Sequence, residues 1–164
     1  MSARPPTPIG PAQAALMAGP VSIIVGSRDA ALRPHLMRAV GCRLDEDRRR
    51  VTVLMSAAGS GEVLADLRAN GMVAVVFSEP SSHRTLQVKG RDATVGPCGA
   101  DDAAHAERHL RGFVDEIGHI GFAAVVAHTL LAHQGDLVAV RFTVDEAFEQ
   151  TPGPSAGEPL PPQR

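Results

Sequence analysis

The chain of 164 residues contains no tryptophan and no tyrosine, and only five phenylalanines. Its core must be built from Val, Leu, Ala and Met, and stacking on aromatic rings is not its main means of holding a ligand. There is no surplus of positive charge. The formal net charge is −2, which supplies no basic field and disfavours a nucleic-acid partner. Cys42 and Cys98 stand alone without a CxxC spacing, which is neither a zinc pattern nor a disulfide framework. The longest apolar run, around Gly121–Ala132, is interrupted by His128 and is too short to cross a bilayer. The opening residues, MSARPPTPIGPAQ, place prolines where a secretory leader needs an apolar segment. These absences predict a soluble cytoplasmic protein. The apolar share of 44% and the length fit one domain with a proper core.

What is present centres on residues 72–90, MVAVVFSEPSSHRTLQVKG. Two apolar runs, Met72–Phe77 and Thr85–Val88, flank a Ser78–Ser82 turn and predict a β-hairpin. The first arm is apolar almost throughout, which predicts burial on both faces. The second alternates, with Arg84, Leu86 and Val88 on one side and Thr85, Gln87 and Lys89 on the other. Such an edge suits an anionic, planar ligand, or simply the wet face of a sheet. The first strand runs through Val21–Val25, the second through His35–Arg43 with Pro34 at its start, and the third through Val51–Met55. The charged Asp45–Arg50 stretch reads as a hairpin tip. Short helices are expected at Ala12–Ala18 and Glu62–Ala69, the latter stopped by Asn70-Gly71. The second hairpin arm is expected to continue through Arg91–Val95. Helices Asp101–Phe113 and Phe122–Leu131 follow, then a strand over Asp136–Phe148. Strands cluster and helices fill the later connections, which predicts a mainly β, α+β fold: a small antiparallel barrel with peripheral helices. The parts are a flexible N-terminal arm and short helix (1–19), the barrel (20–149) and a Pro/Gly-rich tail (150–164).

With these elements in place, the chain resembles the pyridoxamine 5′-phosphate oxidase-like, FMN-binding split-barrel superfamily over roughly residues 20–160. The carrying pieces are Arg38-Ala-Val-Gly-Cys-Arg43, VTVLMS at 51–56, NGMVAVVF and HRTLQVKG within 70–90, and QTPGPSAGEPL at 150–160. The resemblance implies a flavoprotein homodimer with its cofactor between subunits. It implies that Arg38, Val40 and Arg43 occupy the strand whose cation meets the FMN phosphate. Met55 and Ser56 occupy the strand end that edges the flavin ring, and Arg84 and Thr85 match a pair beside the cofactor. The sequence departs from the pattern at Ser60-Gly61-Glu62, where the family carries Ser-Arg-Lys. Two cations are missing there, and a carboxylate stands near a helix amino terminus that a phosphate needs. That substitution and the missing tyrosines argue against true pyridoxamine phosphate oxidase activity. The implied function is an FMN-dependent oxidoreductase, or less directly a deazaflavin one, acting on an unidentified small molecule. The alternative is a non-catalytic or haem-binding member that has lost the phosphate clamp.

Bland readings stand beside these. Arg38 and Arg43, five apart, point to opposite faces of a regular strand unless a bulge intervenes, so one of them is exposed. Arg84 is either snorkelling or paired with a charge. His105 and His109 share a helix face at i, i+4, yet no third ligand accompanies them, and no metal is assigned. His119, His128 and His133 surround an apolar segment, and the resemblance would allow one of them to serve as a haem ligand. Cys42 reads as an inert core thiol. No nucleophile–base–acid constellation is present, which does not exclude an enzyme whose cofactor carries the chemistry.

Overall fold

The structure, a computed structural model, describes residues 9–161. The expected flexible arm falls largely on residues 1–8, outside the described residues. The helix that follows is α1 (Pro11–Ala18), opened by a proline at its first turn, where the missing N–H costs nothing. Among the described residues nine strands then form two antiparallel sheets, with the helices packed around them as expected of a split barrel. The first sheet contains β1 (Ser22–Arg28), β2 (Pro34–Ala39), β5 (Val73–Ser78), β6 (Thr85–Gly90) and β9 (Glu146–Glu149), in the order β2-β1-β5-β6-β9. The second contains β3 (Gly41–Leu44), β4 (Arg50–Ser56), β7 (Thr94–Pro97) and β8 (Leu137–Thr143), in the order β3-β4-β8-β7. The remaining helices are α2 (Gly61–Asn70), α3 (Asp102–Gly118) and α4 (Ala124–Leu130).

Three strands expected as continuous are each cut where the chain passes from one sheet to the other. The 35–43 strand breaks at Val40, whose N–H turns to the Leu54 carbonyl at 2.8 Å. The arm expected to run on to Val95 ends at Gly90, and β7 pairs with β8 instead. The 136–148 strand divides at Val144-Asp145 into β8 and β9. The break at Val40 also resolves the two arginines. Arg38 pairs with Ile24 on the outer face of the first sheet, and Arg43 pairs with Thr52 on the outer face of the second.

Val25, Val75, Phe77, Leu86, Val88, Val53 and Val140 fill the space between the sheets. The β5 arm is corrected in one respect. Val73, Val75 and Phe77 are buried, whereas Ala74, Val76 and Ser78 on its other face are only half-buried. A second cluster joins Val40, Leu54 and Ala139 of the outer second sheet to Phe113 and Ile117 of α3 and Ala127 and Leu131 around α4. Helix α3 extends beyond the expected Phe113 to Gly118, because Phe113 and Ile117 continue its buried stripe. Helix α2 ends as predicted at Gly71, which adopts φ 68°, a conformation costly for other residues. The Pro/Gly-rich tail bends back so that Leu160 packs on the main core and donates its N–H to the Ala147 carbonyl at 2.8 Å.

Candidate functional site

The outer face of the first sheet carries the largest group of expected site residues. Strand alternation and register place Ser22, Ser78 and Thr85 in one cross-strand row. Arg38 donates from Nη1 to Ser22 Oγ at 2.6 Å, and Ser78 and Thr85 share a hydroxyl contact of 2.9 Å. The next row is Arg38, Ile24, Val76, Gln87 and Phe148. The row beyond it, Leu36, Gly26, Ala74 and Lys89, lines a groove of about 430 Å³. Lys89 Nζ rests 4.7 Å from the centre of the Phe148 ring. The result is an apolar platform with a polar rim. Half burial of Arg38 lowers its pKa below the usual arginine value.

Arg84 does not belong to that platform. It lies before β6 and is exposed, because His83 turns at φ 62° and breaks the alternation that was expected to carry Arg84 with Leu86. With Thr85, Gln13, Leu16, Glu149 and Thr151 it borders a small pocket of about 40 Å³.

The 56–62 segment forms a second group beside the edge strand β2. A Cβ placed on Gly59 would come within 2.8 Å of the Met37 side chain, so the loop lies directly against that strand. Met55 is fully buried in the core, and its side chain cannot border a ligand. Ser56 Oγ donates to Asp136, which also accepts the Ala58 N–H at 2.7 Å. These bonds hold the Asp136 carboxyl below its usual pKa, the Ala58 contact being the largest cause. Ser60 stands at the N-cap of α2 with 1% exposure, yet its hydroxyl caps nothing and has no hydrogen-bond partner. Glu62 is turned away. Its side chain is 82% exposed, with Oε1 3.7 Å from His35 Nε2. An uncapped helix amino terminus beside an unpartnered hydroxyl presents the donor chemistry that a phosphate would need, with Ser60 Oγ itself enclosed.

Arg43 and Val40 are separate from both groups. Val40 is buried against α3 and α4. Arg43 donates from Nε to Asp102 Oδ1 at 2.7 Å, and Asp102 also accepts the Gly99 N–H. Arg43 borders a cleft of about 480 Å³ between α1 and β3, shared with Cys42, Arg48 and His105. An adjoining cavity of about 340 Å³ adds Arg108 and His109. His105 and His109 share a side of α3 but not a task. His105 Nε2 contacts the Cys42 carbonyl at 2.6 Å, whereas His109 Nε2 is buried without a partner. Burial pushes the Cys42 thiol up to about 12, which makes it unreactive. His119 and His128 are exposed, and His133 Nδ1 accepts the Gly135 N–H. No metal-binding group of three or more His, Cys, Asp or Glu exists among the described residues. No helix among them is long and apolar enough to cross a membrane.

One cluster has no counterpart among the sequence-based expectations. Asp66 of α2 accepts Ser27 Oγ at 2.7 Å and contacts His35 Nδ1 at 2.7 Å. The Asp66 hydrogen bond raises the His35 pKa, and the same bond lowers that of Asp66. His35 therefore contributes stability fully below 6.5 and loses it as pH rises through its raised folded value. Asp66 contributes above 3.8 and loses it as pH falls through its lowered one. Burial, the largest cause, holds His109 down to about 4, so its contribution has the opposite sign: present above 6.5 and lost toward 4. Thermal melts from mild acid to pH 8 should show His109→Leu flattening the acid loss and His35→Gln deepening it. Identical pH profiles for the two variants would contradict these assignments.

No family model matches the sequence, and no curated protein matches it significantly. Similarity appears in three dimensions. Group A Streptococcus HupZ superposes with a TM-score of 0.56 at 15% identity, covering 91% of this chain and 99% of that one. An F420 reductase gives 0.55 at 14% identity, covering 85% and 98%. A pyridoxamine 5′-phosphate oxidase-related, FMN-binding protein from Nostoc punctiforme PCC 73102 gives 0.50 at 10% identity, covering 94% and 99%. At these identities the likeness is one of fold.

Proposed function

We propose, for a chain with the split-barrel fold of the pyridoxamine 5′-phosphate oxidase-like superfamily, that it is an FMN-binding oxidoreductase acting on a small molecule. The observation that carries this reading is the amino terminus of α2. Ser60 offers an unpartnered hydroxyl, no side chain caps the helix, and Glu62 is turned toward His35. The phosphate would be held by the Ser60 hydroxyl and by the amides at the start of α2, in place of the missing Arg and Lys. The flavin ring system suits the β2 side of the apolar platform, beside Arg38 and Ser22, reached from Ser60 around the edge of β2, since the platform and the α2 terminus lie on opposite faces of that strand. Bound there, FMN would supply electron and hydride transfer. This chain's own residues would bind it, orient it and keep water from it.

The platform is open in a single copy, with Leu36 70% exposed. A second copy of the chain covering it would make a homodimer and enclose the ligand. The non-catalytic alternative rests on the cations absent at Gly61 and Glu62, and the same experiment addresses it. Added FMN should shift its absorption bands on binding, and Ser60→Ala should weaken that binding about tenfold, as expected for a hydrogen bond to a charged group. The same substitution should stabilise the free protein by about 1 kcal/mol, since it removes a buried hydroxyl without a partner. A wild-type protein that ignores added FMN would favour the non-catalytic reading.

A further inference from the structure

Two carboxylates one helical turn apart on α2 converge on a single imidazole from another element. Asp66 is the fixed member. It is buried and receives Ser27 of β1 as well as His35 of β2. Glu62 is the movable member, reaching His35 Nε2 only at 3.7 Å from an exposed position. Glu62 also lies in the first turn of α2, next to the uncapped amides and Ser60. A carboxylate there is drawn to the positive end of the helix. Two destinations therefore compete for it: the imidazole, or the place a phosphate would take.

We propose that His35 decides whether the amino terminus of α2 accepts a phosphate, by retaining Glu62 at the side of the helix when protonated and releasing it when neutral. The inference rests on the flavin-phosphate reading above. A protonated ring donates from Nδ1 to Asp66 and presents a second N–H toward Glu62. A neutral ring that still donates to Asp66 turns a lone pair toward Glu62, and the carboxylate loses its partner. The charged groups facing His35 are Glu62 and Asp66 from α2 and Asp29 from the β1–β2 turn. Asp29 is itself paired with Arg33 at 2.7 Å. All three carboxylates favour the imidazolium, with Asp66 the largest influence, so the retained state extends upward toward neutral pH. His35 is a positioning residue in this scheme.

The test is the FMN dissociation constant of the full chain between pH 6 and 8.5, with Glu62→Gln and His35→Gln alongside. In the wild type the constant should rise roughly two- to five-fold with pH, the size of a charge effect at a helix terminus. That direction opposes the ligand's own titration, which makes its phosphate more negative over the range. Glu62→Gln should abolish the rise and bind as tightly as the wild type does in acid. His35→Gln should bind as the wild type does at high pH throughout. A wild-type constant that is flat or falls with pH would overturn the proposal. A second readout separates this failure from that of the flavin reading. In the ligand-free protein, the Gly61, Glu62 and Val63 amide NMR shifts should titrate with the His35 ring, and should stop doing so in Glu62→Gln. Amides that ignore the ring's titration overturn the latch whether or not FMN binds.

Discussion

Replacing Glu62 with lysine should tighten FMN binding by roughly ten- to a hundred-fold, the effect of a new charge-assisted hydrogen bond where a like charge stood. Ser60 is already inward, and the helix behind it is uncapped. What the site lacks is a cation. Glu62 projects from the first turn of α2 into solvent, so a longer lysine there has room to reach a phosphate held by the same amides. The change has a cost without ligand, because a cation near a helix amino terminus is unfavourable by about 0.3–1 kcal/mol. Glu62→Lys should therefore melt slightly lower when free and higher when FMN is present. Isothermal titration with FMN, and melts with and without it, check both signs. An unchanged affinity would remove the phosphate from the α2 terminus.

Gly90→Ala should destabilise the barrel by about 3 kcal/mol, the upper part of the usual cost of overpacking. Gly90 is the last residue of β6, where the first sheet lies directly against β8 of the second. An added Cβ would lie 2.6 Å from Phe142 Cδ2 and 2.7 Å from the Thr143 carbonyl oxygen. The ring has some freedom to turn, but the carbonyl belongs to the β8 backbone and cannot yield without shifting the sheet. The smaller entropy of an unfolded alanine chain offsets only about 0.4–1 kcal/mol. For a domain of this size the loss corresponds to a melting point lower by roughly 6–12 °C. A variant that melts within a degree of the wild type would show that the two sheets do not touch there.

The positions of the helices and most strands were legible in the sequence because each carries its own local signal. Pro11 opens α1, Asn70-Gly71 closes α2, and the alternation in β6 and β8 marks their faces. The sheet crossings were not. Each crossing carries only one weak punctuator, Gly41 after Val40 and Asp145 after Val144, and the partner strand decides where pairing changes. Gly90 was visible as a glycine but not as the point where β8 leaves no room.

At the site, Ser60 and Arg38 could be named from the resemblance. Their surroundings could not, since Arg38 meets Ser22 of β1 and the segment around Ser60 meets Met37 and His35 of β2. The Ser27–Asp66–His35 cluster had a faint signal. Asp66 lies between Val63, Leu64 and Leu67 on the buried side of α2, and His35 shares strand parity with Met37 and Ala39. A polar residue on each of two core faces predicts that the two meet, though neither residue announces its partner.

A phosphate docked at the amino terminus of α2 is the central claim, and parallel titrations of the full chain with FMN and with riboflavin at pH 6 test it directly. Both ligands carry the same ring system and differ in the phosphate. FMN binding at least about tenfold tighter than riboflavin, as expected for one charge-assisted hydrogen bond, with the difference reduced in Ser60→Ala, is the predicted result. Equal affinities for the two, or no binding of either, would contradict it.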